Sequence, residues 1–318
     1  MKNKHFFKIN GHASVGRTLF ALFLLVAPMG SMLFAQQEPM YSQYMFNMLN
    51  LNPAYAGNRA VNSITFIHRN QWTGFDGSPK TTTISWDKRA DGSNVGYGVQ
   101  LYNDKISIEN TTGIQAFYSY RLPFESSALT FGLSAGFLNY SAKYSQLTTI
   151  DKGDPLFSDD KSTILPTFGF GMLYSTENWY AGLSIPALLK TKSDDSKLKL
   201  NGASNHYFLN GGYIFRVNEI LKLKPSVLFK YVTGAPLEAD LNLNAWLNDK
   251  YGAGISYRTN DAVVAMVEIQ ITPKIRAGYA FDYTISKLND YNNGTHELML
   301  RYEFDAGKLL NILSPRYY

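Results

Sequence analysis

From Asn62 to Phe304 the chain repeats short segments in which large apolar residues alternate with small or polar ones. Leu129, Phe131, Leu133, Ala135 and Phe137, set against Thr130, Gly132, Ser134 and Gly136, show the pattern. A period of two is the period of a β-strand, whose successive side chains point to opposite faces. About fourteen such segments can be counted, each about as long as a strand that crosses a bilayer. No segment of this region is a continuous run of about 18 apolar residues, which excludes a helical membrane protein. A chain patterned in this way packs two sheets together or closes one sheet into a barrel.

The expected strands are residues 62–69, 80–89, 95–103, 109–122, 128–141, 165–174, 179–185, 205–215, 221–231, 239–247, 251–258, 262–271, 275–284 and 296–304. Nearly every one offers several large apolar residues on one face, while the other is rich in glycine and serine. That contrast favours a barrel with a lipid-facing exterior and a confined interior over a soluble sandwich. Every second connection is short: 90–94, 123–127, 175–178, 216–220, 248–250 and 272–274. The long ones, 142–164, 186–204 and 285–295, fall between them. Short turns at one rim and long loops at the other are the habit of outer-membrane barrels, with the turns in the periplasm. The expected fold is therefore an all-β, transmembrane, antiparallel up-and-down barrel. Pro225, which lacks a ladder donor near a strand start, and the short 179–185 strand are the weak spots of this reading.

The ends read differently. Lys2, Lys4, Lys8 and Arg17 precede a mostly apolar run from Leu19 to Ala35, the pattern of a cleaved export signal over residues 1–35. Those four basic residues have no acidic counterpart there, so their removal takes the net charge from +5 to +1. The basic balance thus belongs to the signal, and no nucleic-acid partner follows from it. The chain has no cysteine, which excludes disulfides and lipid attachment at a thiol. Residues 36–61 do not alternate. Aromatic and Met residues at 41, 44, 45 and 48 are followed by Asn52-Pro53 and Gly57, and the segment is too short to span and too apolar to be solvated. It is expected to pack at or in the barrel. Residues 305–318 form a periplasmic tail.

No chemistry is legible. His68, His206 and His296 lie in separate strands without metal-ligand spacing, and Gly169-Phe170-Gly171 and Gly252-Ala253-Gly254 precede no helix. Asp240, Asn242 and Asn244 share one strand face and cannot surround an ion. No catalytic, cofactor-binding or metal residue is assigned. Inward charges of both signs, Asp87, Arg121, Lys230, Asp240, Arg258, Glu268, Arg276, Asp282, Glu297, Arg301 and Glu303, suit cross-strand ion pairs or a protein-filled lumen better than a selective pore.

Two long strings carry a resemblance. Ser42-Gln43-Tyr44-Met45-Phe46-Asn47 with Leu51-Asn52-Pro53-Ala54-Tyr55-Ala56-Gly57, and Arg69-Asn70-Gln71-Trp72-Thr73-Gly74-Phe75-Asp76-Gly77-Ser78-Pro79, resemble the PorP/SprF family. The resemblance implies an outer-membrane protein of the type IX secretion system of Bacteroidetes. One branch of that family is a core component joined to the periplasmic machinery. The other accompanies large surface adhesins, including those of gliding motility, and is thought to engage their C-terminal secretion domains. The partners so implied are an adhesin, other secretion components and outer-membrane lipid. Tyr41, Tyr44, Phe46, Trp72, Phe75, Asp76, Arg316, Tyr317 and Tyr318 are the candidate partner-binding residues. The first loop, around Trp72 and Asp76, can serve as an extracellular docking edge or close the mouth. A passive or hydrophobic-solute channel is the competing class.

Overall fold

The computed structural model describes residues 40–59, 61–146, 159–188, 205–233 and 235–304. The expected signal, residues 1–35, the tail and the middles of two long loops lie outside them. One closed antiparallel sheet of fourteen strands makes the wall. In chain order they are β1 (Asn62–Asn70), β2 (Lys80–Arg89), β3 (Val95–Ile106), β4 (Glu109–Pro123), β5 (Ser127–Ala142), β6 (Lys161–Thr176), β7 (Trp179–Ile185) and β8 (His206–Tyr213, resumed at Phe215–Arg216). There follow β9 (Leu221–Val232), β10 (Glu238–Leu247), β11 (Tyr251–Arg258), β12 (Ala262–Thr272), β13 (Ile275–Thr284) and β14 (Thr295–Phe304). Each strand pairs with its neighbour in sequence, and β1 closes on β14 from Asn62↔Phe304 to Asn70↔His296. Closure leaves neither the first nor the last strand as an edge, as an apolar solvent demands.

The alternation sorts the faces. On β5, Thr130, Gly132 and Ser134 are buried, whereas Leu133, Ala135 and Phe137 stand outward. Outward aromatics gather near both rims. At the turn rim Trp86 meets Tyr97 with centroids 5.6 Å apart, Tyr174 meets Trp179 at 5.2 Å and Tyr302 meets Phe304 at 5.5 Å. At the loop rim Tyr207 meets Tyr231 at 6.0 Å. Amphipathic rings in two girdles around an apolar band are what the two headgroup layers select.

Two strands outrun their apolar pattern. β3 continues to Ile106 and β6 begins at Lys161, four residues before the alternation does. Polar side chains carry these extensions: Asn103 Nδ2 donates to Thr112 Oγ1 (2.8 Å) and Ser162 Oγ to Asn139 Oδ1 (3.0 Å). The break in β8 has a local cause. Ile214 N–H donates to the Asn178 carbonyl on the β7 side (2.7 Å), so the Tyr213 backbone points toward β9. The register through Ser226↔Gly212 and Leu223↔Phe215 is unbroken and sets Tyr213 opposite Pro225, which has no N–H to give.

Candidate functional site

Residues 41–59 lie inside the barrel, and all of them but Asn50 are buried. They run as three single turns of 3-10 helix, Tyr44–Phe46, Met48–Asn50 and Pro53–Tyr55. The third turn is set by Asn52, whose side chain accepts the Ala54 N–H (2.9 Å), with Pro53 supplying a helical φ. The side chains of this segment form the apolar core of the molecule. Tyr44, Met45, Phe46, Leu51 and Tyr55 pack against Leu173, Phe208, Trp246, Met266 and Met299 from the wall.

The wall is shaped for the segment on one side. A Cβ on Gly132 would lie 2.1 Å from the Ala54 nitrogen, and one on Gly96 would lie 2.0 Å from the Ala56 carbonyl oxygen. Backbone can approach backbone there only because both residues are glycine. Polar groups complete the seat. Ser184 Oγ donates to the Leu51 carbonyl (2.6 Å), Asn52 Nδ2 to the Met172 carbonyl (3.0 Å) and Ser119 Oγ to the Ala56 carbonyl (2.7 Å). Asn210 and Asn242 donate to the phenol oxygens of Tyr55 (3.0 Å) and Tyr44 (2.7 Å), and Tyr41 bonds Thr83. At the turn rim, Gly57 N–H donates to Asp87 (3.0 Å) at φ +64°, and the chain turns into β1.

The other end of the segment meets a carboxylate clamp. Ser42 N–H and Gln43 N–H each donate to one oxygen of Glu297 at 2.8 Å, and Ser42 Oγ donates to Asp282 at 2.6 Å. Arg69 binds both acids, at 2.8 Å to Asp282 and 3.1 Å to Glu297, and also donates to Ser42 Oγ (2.7 Å). The pairs continue around the loop rim. Arg258 joins Asp282 (3.7 Å), Asp240 (3.2 Å), Asp261 (3.1 Å) and Glu238 (3.7 Å), and Lys230 joins Glu238 (3.7 Å). Charges of both signs at the loop rim are thus paired across strands, and residues 41–59 occupy the lumen.

Among the candidate residues, Tyr41, Tyr44 and Phe46 are between 3% and 6% exposed and are engaged within the lumen. Trp72, Phe75 and Asp76 sit in the loop between β1 and β2. Phe75 is 56% exposed, whereas Trp72 is half-buried and its N–H donates to Thr295 Oγ1 (3.1 Å). Thr73 N–H donates to the Gly294 carbonyl (2.8 Å) and Ser107 N–H to the Gly77 carbonyl (2.9 Å), so two neighbouring connections brace the loop. Arg316, Tyr317 and Tyr318 lie outside the described residues. After β5, Ser145 N–H donates to Asp160 (3.0 Å) and holds that carboxyl below the usual carboxylate range.

Arg69, at the centre of the clamp, and the buried Lys224 were missing from the expected inward charges. Both were readable by parity: Arg69 follows Ser63, Thr65 and Ile67 on the buried face of β1. His68 and His296 lie on the paired strands β1 and β14, two residues out of register, and His206 lies on β8. Among the described residues, no group of His, Cys, Asp or Glu could hold a metal ion.

The model of the family described as type IX secretion system membrane protein PorP/SprF matches residues 33–302. No curated protein matches the chain. Among solved structures, the Acinetobacter baumannii outer membrane protein Omp33 is 10% identical over 78% of this chain and 100% of its own, at a TM-score of 0.47. The CymD monoaromatic hydrocarbon channel is 9% identical over 85% of this chain and 95% of its own, at 0.48. The KdgM porin is 11% identical over 76% and 99%, at 0.38. Likenesses of this size carry no inference about what passes through or binds this barrel.

Proposed function

Because the chain belongs to the PorP/SprF family of type IX secretion system membrane proteins, we propose that this outer-membrane barrel supports export or surface anchoring of large adhesins of the gliding-motility kind, by binding their C-terminal secretion domains. The role is binding, not catalysis. The observation that carries the reading is the filled lumen. Residues 41–59 occupy the bore and are bonded to its wall, so the barrel offers surfaces rather than an open passage. Those surfaces are the loop rim, with Phe75 and Asp76 projecting and Trp72 beneath them, and on the periplasmic side the tail with Arg316, Tyr317 and Tyr318. Aromatic side chains are frequent binding anchors. Residues 1–35 act as the export signal and are removed.

Deleting the gene in its native cell tests the reading. Loss of one adhesin from the surface, with its accumulation inside, is the expected result. Loss of all type IX cargo instead assigns the chain to the core branch that links the outer membrane to the periplasmic machinery. Normal secretion of every cargo, together with steady ion-selective current through the purified barrel, overturns both in favour of a channel.

A further inference from the structure

We infer that the chain ahead of Met40 leaves the barrel at the extracellular rim, so that the polypeptide passes outward through its own lumen and displays its N-terminus at the cell surface. The passage itself rests on contacts; which rim is extracellular rests on the outer-membrane reading above.

The contacts place the two ends of the segment at opposite rims. Arg89, the last residue of β2, donates to the Asn58 carbonyl (3.1 Å), and a Cβ on Gly57 would sit 2.6 Å from the Lys88 carbonyl. Both belong to the rim of short turns. Ser42 and Gln43 instead bond Glu297, two residues below the start of β14, and Ser42 bonds Asp282, two residues before the end of β13. Arg69 lies one residue from the end of β1, and Lys230, whose Nζ is 3.8 Å from Met40 Sδ, two residues from the end of β9. All four belong to the rim of long loops. Between these ends, Asn47 Nδ2 reaches Ser85 Oγ at mid-height on β2 (3.0 Å).

The chain cannot return by the way it came. Cleavage after Ala35 leaves four residues ahead of Met40, which reach at most about 14 Å when fully extended. The nine residues of β1 rise roughly 22 Å along the axis at ordinary rise and tilt. Phe304 ends β14 at the turn rim, opposite the rim at which Met40 meets Lys230.

The absence of cysteine makes the test direct. Full-length Glu38→Cys, Asp76→Cys and Asp91→Cys variants are treated in intact cells with a membrane-impermeant maleimide, then again after lysis. Glu38→Cys is expected to label in intact cells together with Asp76→Cys in the first loop, while Asp91→Cys, in the turn after β2, labels only after lysis. If Glu38→Cys labels with Asp91→Cys, the passage is overturned. Labelling of Asp91→Cys but not Asp76→Cys in intact cells refutes the assumed orientation, and with it the surface display. In that case partition of Glu38→Cys with Asp76→Cys still upholds the passage through the lumen.

Discussion

Glu297 is fully buried and spends both carboxylate oxygens on backbone N–H groups of a segment some 255 residues earlier in the chain. It also sits opposite Arg69 in the register that closes the barrel. Removing its charge leaves Arg69 with Asp282 alone and weakens the bonds from both N–H groups. Glu297→Gln is expected to destabilise the folded barrel by about 3–5 kcal/mol, the usual cost of breaking one side of a buried pair. A urea titration of the reconstituted protein followed by tryptophan fluorescence checks this, and an unmoved midpoint would show that the clamp contributes nothing. The face that Glu297 occupies was legible, because parity along β14 buries Glu297, Met299 and Arg301 together. Its partners were not. Alternation states which way a side chain points but not what stands before it, and Ser42 lies in a segment without period.

At the scale of the element, alternation located the strands because apolar residues must face lipid. The limits of β2, β7, β11 and β13 coincide with the apolar pattern. It failed where pairing leaves the apolar band, as in β6, whose first residues are held by polar side chains. Pro225 shows the opposite case, a visible residue whose effect falls on the neighbouring strand. Pro225→Val should restore the donor opposite Tyr213 and raise stability by about 0.5–1.5 kcal/mol, the net worth of a typical hydrogen bond. Amide hydrogen exchange across Tyr213–Arg216 would slow correspondingly. Faster exchange would show that the ring of Pro225 is needed for the shape of the wall.

For the whole molecule, the closed sheet and its two faces followed from composition and spacing, and the family resemblance was legible in the strings before and after the start of β1. The course of residues 41–59 was not, because the glycines and serines that receive them announce only that space is available. The lipid-facing band can be tested separately. Leu133 projects from the middle of β5 and is 57% exposed. Leu133→Lys should destabilise the barrel in lipid by about 2–4 kcal/mol, whereas Asn139→Lys, farther up the same strand, should cost roughly 0–1 kcal/mol. Equal costs at the two positions would mean that the bilayer does not sit where the aromatic girdles put it.

The clamp also imposes an order on biogenesis. Its ligands come from the segment ahead of β1, and its acids from the last two strands to leave the ribosome. Seating the N-terminal segment and zipping the final seam are therefore coupled, since Arg69 and Glu297 belong to both. A chain truncated before Thr295 would offer neither a mate for β1 nor a receptor for Ser42 and Gln43, and its tyrosines and methionines would stay uncovered for periplasmic proteases. The completed barrel thereby certifies that synthesis ran at least through β14.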